Sequence, residues 1–173
     1  MRTVGAIGAW GLLAATPCAA EVVAAEPGGF ALEAARDVAA TPAAVWATLL
    51  APARWWDGAH TYSGAATNLS LRAEPGGCFC ERLPAGGAVE HARVLFLRPR
   101  DTLRLSGALG PLQSEALAGT LTFTLAPTAS GRTRVTMRYV VGGFMPGGVA
   151  TLAPVVDRVM TTQLTRLAAA AAR

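Results

Sequence analysis

Three side chains suited to proton transfer lie in three short segments of the sequence. His60 belongs to residues 55–62, a stretch that also contains two tryptophans and a tyrosine. Glu81 and His91 follow in two segments that alternate like neighbouring strands. Imidazole titrates near neutral pH, and a carboxyl group held in apolar surroundings keeps its proton to a higher pH. Glu81, His60 and His91 are therefore the candidate catalytic residues for general acid–base chemistry, and the sequence does not choose among them.

The strand patterns predict different directions for Glu81 and His91. Glu81 shares a strand face with Phe79, and if that face is inward we expect the pKa of Glu81 to be raised. The alternative is an ion pair with an arginine of a neighbouring strand, such as Arg82, Arg93 or Arg104. His91 is expected to point outward, because the more apolar face of its strand is formed by Ala92, Val94 and Phe96.

The sequence offers no support for metal, cofactor or nucleic-acid chemistry. His60 and His91 lack the spacing of a metal-binding pair and have no obvious third ligand, so we expect no metal. No nucleophile elbow, phosphate-binding loop, dinucleotide-binding glycine motif or zinc spacing occurs, so we expect no cofactor. The net charge is +4, and the 15 basic residues are scattered instead of gathered on one face. We therefore expect no nucleic-acid partner.

The first twenty residues have the layout of an export signal. Arg2 supplies a positive start, residues 3–15 form an uncharged and largely apolar run, and small residues close the segment before Glu21. We expect cleavage after Ala20 and a mature bacterial protein in the periplasm or outside the cell. The apolar run is shorter than the roughly 20 residues that a membrane span requires, so we expect no span after cleavage.

Cys78 and Cys80 are the cysteines that remain after such a cleavage. An even number of cysteines in an exported protein invites a disulfide. Residues two apart in an extended strand, however, have Cα atoms about 6.6 Å apart, at the upper limit for that bond. We therefore expect two half-buried thiols, and a disulfide only where a bulge or turn shortens the strand. Cys18 could instead carry a lipid anchor, although residues 15–17 do not resemble a lipobox.

The elements that must position these residues are predicted as one domain over residues 30–173, with residues 21–29 as a linker. A first strand over residues 30–39 precedes two short helices, the first beginning at Thr41 and Pro42. About six antiparallel strands follow, and residues 120–125 and 134–139 alternate most clearly between apolar and polar side chains. Apolar residues then recur at helical spacing over residues 152–167, which predicts a long C-terminal helix.

This order predicts an α+β fold in which a curved antiparallel sheet of about six to seven strands wraps on the C-terminal helix. Such a layout often leaves a cavity between sheet and helix, a common site for apolar ligands. The glycine-rich residues 142–148 are expected to gate it. The expected ligand-binding residues are aromatic residues of the loop and gate and inward residues of the strands, which are core residues in any case: Trp55, Trp56, His60, Tyr62, Phe79, Phe123, Met137, Tyr139 and Phe144.

Three motifs in this order carry a resemblance to a known family. Residues 41–46 (TPAAVW) are similar to the family's opening helix, residues 52–56 (PARWW) to the segment that follows it, and residues 76–81 (GGCFCE) to its Gly-Gly-x-Phe strand. With the long closing helix, residues 30–167 resemble the SRPBCC superfamily and its START-like or Bet v 1-like helix-grip fold. Within it the chain looks most like the polyketide cyclase and Hsp90-ATPase-activator-like branch. The resemblance implies a hydrophobic pocket and a small-molecule or lipid-like ligand.

Two functions from different classes follow from these observations. The first is an exported helix-grip protein that binds a small hydrophobic molecule or lipid. The alternative is a cyclase- or dehydratase-like enzyme in which Glu81 and either His60 or His91 transfer a proton. A third interpretation, a protein that binds a partner through an exposed apolar patch, is left open by the sequence. Export argues against an Hsp90-activator role, and the fold by itself does not imply catalysis.

Overall fold

The computed structural model describes residues 21–173, so the predicted export signal over residues 1–20 lies outside the described part. Within residues 21–173, eight strands and two α-helices follow one another. They are β1 (Glu21–Glu26), β2 (Gly29–Val38), α1 (Pro42–Leu49), β3 (Leu69–Leu71), β4 (Cys78–Arg82), β5 (Ala88–Arg98), β6 (Thr102–Ser106), β7 (Ala116–Pro127), β8 (Thr133–Phe144) and α2 (Ala153–Ala171).

The strands form one antiparallel sheet in the order β1-β2-β8-β7-β6-β5-β4-β3. Helix α2 packs against β2 and α1. The predicted α+β helix-grip architecture is confirmed, with eight strands in place of the expected six to seven. The first long strand, β2, pairs with the last strand, β8. From β8 the order continues through β7, β6, β5 and β4 to β3, which forms the far edge of the sheet.

The segment expected to be a linker contributes the additional strand. Residues 21–26 pair with β2, and a register shift occurs between Val22 and Ala24. Every side chain of β1 is exposed, and the strand lies at the edge of the sheet. A strand without a buried face carries no alternation of apolar and polar residues, which is why the pattern did not reveal it. The prediction of a linker over residues 21–29 was therefore wrong.

Helix α1 begins where the sequence predicted. Thr41 is the N-cap, and its hydroxyl oxygen accepts a hydrogen bond of 3.3 Å from the backbone N–H of Ala44. Pro42 occupies the first turn, where its missing N–H costs nothing. Pro52 then opens a short 3₁₀ helix, Pro52–Arg54, which corresponds to the predicted second short helix. These elements place Trp55 and Trp56 on the inner side of the sheet, where both side chains are buried.

The core fills the space between the sheet and the two helices. In β7 and β8 the predicted alternation is confirmed, since the inward side chains are buried at Leu121, Phe123, Leu125, Val135, Met137 and Tyr139. Helix α2 meets them with Met160, Leu164 and Leu167, which recur on one helical face. One polar residue, Gln163, is fully buried on the same face.

Strands β4, β5 and β6, which lie toward the β3 edge of the sheet, pair less regularly. The register shifts between Phe79 and Cys80 of β4 as they pair with β5, and again between Val94 and Phe96 of β5 as they pair with β6. Each shift places one extra residue in β5 and reverses the direction of the side chains that follow. Phe96, expected inside with Val94, is consequently 44% exposed.

Candidate functional site

A cavity of about 450 Å³ lies between the sheet and α2. One wall is formed by the loop after α1, with Trp56 and residues 59–62, and by Phe79 and His91 of the sheet. Residues 109–112 and Tyr139 form the opposite side. Helix α2 and the turn before it close the cavity with apolar side chains only, at Leu152, Val155, Val156, Val159 and Met160.

The cavity opens to solvent at one end. Tyr62 and Val155 both line it, and they are 53% and 44% exposed. His60, which precedes Tyr62 by two residues, is also exposed and lines the cavity. His91 lines it too but is only 6% exposed. His60 therefore lies at the mouth of the cavity, and His91 lies deeper in the same cavity.

Five of the nine residues expected to bind a ligand line the cavity, namely Trp56, His60, Tyr62, Phe79 and Tyr139. Three others lie in the core: Trp55 packs edge-on against Phe123 at 6.3 Å, and Met137 is fully buried beside them on β8. Phe144 is 72% exposed at the end of β8 and does not reach the cavity. The structure does not place it with the other expected ligand-binding residues, because β8 runs on to Phe144 and leaves its side chain exposed.

The expected gate over residues 142–148 is not found at the cavity. The first part of this stretch is paired strand, since Gly142 and Gly143 face Ala118 and Leu117 of β7. The rest is a tight turn closed by a hydrogen bond from the N–H of Gly148 to the carbonyl of Met145. None of these residues lines the cavity, so in this structure the stretch connects β8 to α2 and covers no opening.

A chain of aromatic rings leads from the core to the mouth of the cavity. The ring centroids of Trp56 and Phe79 are 5.3 Å apart, and those of Phe79 and His91 are 5.2 Å apart. Tyr62 stacks on the other side of His91 at 6.0 Å. Contacts of this kind favour defined ring orientations. The imidazole of His91 is therefore held between an inner and an outer aromatic side chain.

Glu81 is fully buried, and both oxygens of its carboxylate accept hydrogen bonds. Its Oε2 accepts a hydrogen bond of 3.1 Å from the backbone N–H of Tyr62 and lies 2.9 Å from Nε2 of His91. Its Oε1 accepts a hydrogen bond from the backbone N–H of Ser63. The carboxylate thus ties the loop after α1 to strands β4 and β5. Its partners are a histidine and two backbone N–H groups. The predicted ion pair with Arg82, Arg93 or Arg104 was therefore wrong.

The pKa of Glu81 is lowered, not raised as expected from burial alone. Burial raises the pKa of the carboxyl, but hydrogen bonds from Ser63, Tyr62 and His91 favour its charged form and outweigh that effect. Glu81 is therefore ionised at neutral pH and can only accept hydrogen bonds. It follows that Nε2 of His91 carries the hydrogen of this contact.

His91 points inward because of the irregularity in β5. Cys80 pairs with Glu90 and Phe79 pairs with Ala92, so His91 is the extra residue of a β-bulge. His91 and Ala92 are consequently both buried, although they are adjacent in the strand. The prediction that His91 faces outward assumed strict alternation through this point, and the bulge overturns it.

Cys78 and Cys80 form a disulfide on the opposite strand of the same irregular pair. Their Cα atoms are 5.4 Å apart, well within the range of the bond and closer than in a regular strand. The short Cα distance meets the geometric condition for the bond, so the expectation of two half-buried thiols was wrong.

Gln163 fixes the other histidine and was not among the expected site residues. Its Oε1 accepts a hydrogen bond of 2.8 Å from the backbone N–H of Asp57, which orients the side-chain amide. Its Nε2 then lies 2.9 Å from Nδ1 of His60 and is the donor. The signal in the sequence was a polar residue within the apolar stripe of α2. In the structure Gln163 is fully buried, and a buried polar residue requires partners.

Tyr139 lines the cavity and also holds its wall in place. Its hydroxyl donates to the carbonyl of Gly107 at 3.1 Å and accepts from the N–H of Leu109 at 2.9 Å. Burial raises the pKa of this phenol to about 12. The hydroxyl is therefore neutral and already paired, and it holds the loop that closes the cavity beside residues 109–112.

Two further findings bear on the type of site. Within residues 21–173, no group of three or more His, Cys, Asp or Glu side chains is arranged to hold a metal ion. Over the same residues, no helix is both long and apolar enough to cross a membrane.

An antiparallel sheet gripping a C-terminal helix over an apolar cavity defines a helix-grip protein. The chain belongs to the family described as polyketide cyclase / dehydrase and lipid transport, whose sequence model matches residues 30–172. This confirms the resemblance seen in the sequence. No curated protein matches the chain significantly.

Solved structures support the same fold. Protein MLL2253 from Mesorhizobium loti is 22% identical with a TM-score of 0.58, over 81% of this chain and 95% of that one. A protein from Arthrobacter aurescens is 16% identical with a TM-score of 0.57, over 87% and 92% of the two chains. The di-domain ARO/CYC StfQ from the steffimycin biosynthetic pathway is 15% identical with a TM-score of 0.57, over 84% and 50%. Likeness at these identities shows the fold.

Proposed function

We propose that the protein binds a small hydrophobic or lipid-like molecule in the cavity between the sheet and α2. The observation that carries this proposal is a cavity of about 450 Å³ whose helical wall consists of apolar side chains. That volume falls within the usual range for small-molecule sites. Transfer of an apolar molecule from water to such a wall is favourable in proportion to the area that it buries.

A titration with the fluorescent apolar probe N-phenyl-1-naphthylamine tests this proposal. We expect saturable binding to the wild type and at least tenfold weaker binding to Val159→Trp, which places a larger ring in the cavity from α2. The matched control is Val140→Trp, because Val140 is 39% exposed and lies outside this cavity. Absence of saturable binding to the wild type, or equal binding to Val159→Trp, would contradict the proposal.

We further propose that the protein acts outside the cytoplasm. The layout of residues 1–20 supports this location, and so does the Cys78–Cys80 disulfide, a bond that persists mainly in oxidising compartments. Expression of the full chain in a bacterium, followed by fractionation and mass measurement, tests it. We expect periplasmic or secreted protein beginning at Glu21. A cytoplasmic protein that retains residues 1–20 would contradict it.

The second candidate function is an enzyme of the cyclase or dehydratase type. The observation that favours it is the 2.9 Å contact between the Glu81 carboxylate and Nε2 of His91, a histidine that lines the cavity. A buried carboxylate that orients an imidazole is a recurring arrangement for proton transfer. Within residues 21–173 Glu81 makes no hydrogen bond to His60, so His91 is its partner. Conversion of a bound natural ligand by wild type but not by His91→Gln tests this function.

A further inference from the structure

Cys78 and Cys80 lie on the outer face of the sheet, away from the cavity. The side chains of Phe79 and Glu81 are buried on the inner face of β4, and the two cysteines alternate with them on the other face. Both cysteines are partly exposed, and neither lines the cavity. Their disulfide is therefore in contact with solvent and within reach of small molecules that do not enter the cavity.

The disulfide closes a very short loop, so the bond and the fold stabilise each other only weakly. Its two cysteines have a sequence separation of 2, and the entropy that a disulfide removes from the unfolded chain falls as the loop shortens. Coupling between two equilibria is reciprocal. A bond that adds little to the stability of the fold therefore gains equally little from the fold. Structural disulfides resist reduction by small thiols, and a bond without that support remains open to it.

The reduced form also fits this place in the sheet. The Cα atoms of the bonded cysteines are 5.4 Å apart, and residues two apart in a regular strand are separated by about 6.6 Å. The bond therefore requires a local movement of only about 1 Å from regular strand geometry. On its other side β4 borders β3, which has three residues and forms the edge of the sheet. Both forms can therefore exist without unfolding of the sheet.

Side chains of the neighbouring strands give the two sulfur atoms different surroundings. Cys78 is paired with Arg93 of β5, and Cys80 is paired with Glu90. Residues directly opposite each other have Cβ atoms about 4.5–5.5 Å apart. The ion pair between Arg93 and Glu90 holds both charges on this side of the bond, and on the β3 side Cys80 faces the uncharged Ser70. Positive charge favours a thiolate and negative charge disfavours it, so Cys78 is the better departing thiolate.

We propose that Cys78–Cys80 is an exchangeable disulfide that oxidises small thiols at the outer face of the sheet. In an oxidising compartment the bonded form prevails, so the pair takes electrons from thiols. This activity is separate from ligand binding in the cavity, because neither cysteine lines it. The two proposals therefore stand or fall independently.

The reaction balances with two thiol molecules. The thiolate of the first attacks Sγ of Cys80 and forms a mixed disulfide, while the bond to Cys78 breaks and its electron pair leaves on Sγ of Cys78, which takes up a proton. The thiolate of the second attacks the small-molecule sulfur of the mixed disulfide and releases Cys80, which also takes up a proton. Two thiols become one small disulfide, and the protein gains two electrons and two protons. The reverse exchange with a small disulfide restores the Cys78–Cys80 bond.

Reduction by glutathione, compared between the folded protein and the protein unfolded in urea, tests the inference. Free thiols are alkylated at timed intervals and counted by mass, while circular dichroism follows the fold. We expect the two rates to lie within about tenfold of each other, because the folded bond is in contact with solvent. The equilibrium constants for reduction should differ by about 5- to 30-fold, as weak coupling to the fold requires. A larger difference in either quantity, as for a bond that reacts only after unfolding, overturns the inference.

Arg93→Gln tests the part played by charge, and Arg98→Gln is its matched control, because both arginines belong to β5 and form exposed ion pairs with a residue three positions away. Arg93→Gln should slow reduction of the folded protein about three- to tenfold, and Arg98→Gln should leave the rate unchanged. Cys80→Ser, which keeps the thiol of Cys78, should react with iodoacetamide faster than Cys78→Ser does. Equal rates in either comparison overturn the assignment of Cys78 as the departing sulfur.

Discussion

The pairs β7–β8 and β4–β5 belong to the same sheet but are built differently. Strands β7 and β8 pair from Ala116–Phe144 to Pro127–Thr133 without a register shift, and their inward residues are mainly apolar. Strand β5 carries two shifts, and its pairing with β4 encloses Glu81 and His91 beside a disulfide. The regular pair builds much of the core, and the irregular pair places His91 on the cavity wall in contact with Glu81. Of the two extra residues in β5, the one at the first shift, His91, lines the cavity.

The largest expected effect on stability lies in the regular pair. Phe123→Ala removes a ring that is 2% exposed and packs against Trp55. We expect a loss of about 3–5 kcal/mol in the free energy of unfolding, measured by urea denaturation. The carboxylate of Glu81 does not contact Phe123, so the hydrogen bonds of Glu81 should persist in the variant. A loss below about 1 kcal/mol would contradict the assignment of β7–β8 as the core.

In the irregular pair, Glu81→Gln should have the next largest effect. The substitution removes a charge that accepts hydrogen bonds from Tyr62, Ser63 and His91, and it turns an amide N–H₂ toward one of these donors. We expect a loss of about 2–3 kcal/mol in the free energy of unfolding. Glu90→Gln, at an exposed position, should change it by less than about 0.5 kcal/mol. Equal effects of the two variants would contradict the account of Glu81.

The same carboxylate should make stability depend on pH. The pKa of Glu81 is lower in the folded protein than its ordinary value of 4.5, because its hydrogen bonds outweigh the effect of burial. Its contribution is therefore fully present above about pH 4.5 and is lost as the pH falls through the folded-state pKa. Burial raises the pKa of Asp157, so that group acts in the opposite direction. Subtracting the profile of Glu81→Gln from that of the wild type isolates Glu81, and a flat difference would contradict the assignment.

The disulfide should contribute least among these features. It closes a loop with a sequence separation of 2, and the chain-entropy argument gives about 1–2 kcal/mol for so short a loop. We expect the double variant Cys78→Ser with Cys80→Ser to lose about that amount in urea denaturation under non-reducing conditions. Reduction of the wild type should give the same loss, and reduction of the double variant should change nothing. A loss that exceeds that of Glu81→Gln would reverse the order proposed here.

The regular part of the molecule was predictable from the sequence, and the irregular part was only partly so. Strict alternation in residues 120–125 and 134–139 identified both strands and their buried faces, because a one-sided sheet imposes a period of two. The cap at Thr41 and the apolar stripe of α2 identified the helices for similar reasons. Strand β1 has no buried face and therefore left no such pattern.

The candidate site depended on interactions that no local pattern carries. The inward direction of His91 depends on a bulge, which is defined by the pairing of two strands and not by the sequence of one. The lowered pKa of Glu81 depends on N–H groups of a loop about twenty residues earlier in the chain. Gln163 could have been found, because a polar residue in an apolar stripe needs partners, but its partner His60 lies on a distant segment. The composition of the chain and the order of its elements predicted the cavity. The hydrogen bonds among its polar groups could be found only in the structure.

Native mass spectrometry of the full chain after export to a bacterial periplasm tests the central claim most directly. The account predicts a saturable complex with added N-phenyl-1-naphthylamine, or a co-purified apolar molecule, that is lost when the same sample is denatured. Parallel spectra of Val159→Trp should show a weaker complex, because the larger ring occupies part of the cavity of about 450 Å³. A wild-type spectrum that shows only the bare mass at every probe concentration would contradict the claim that this cavity is a ligand site.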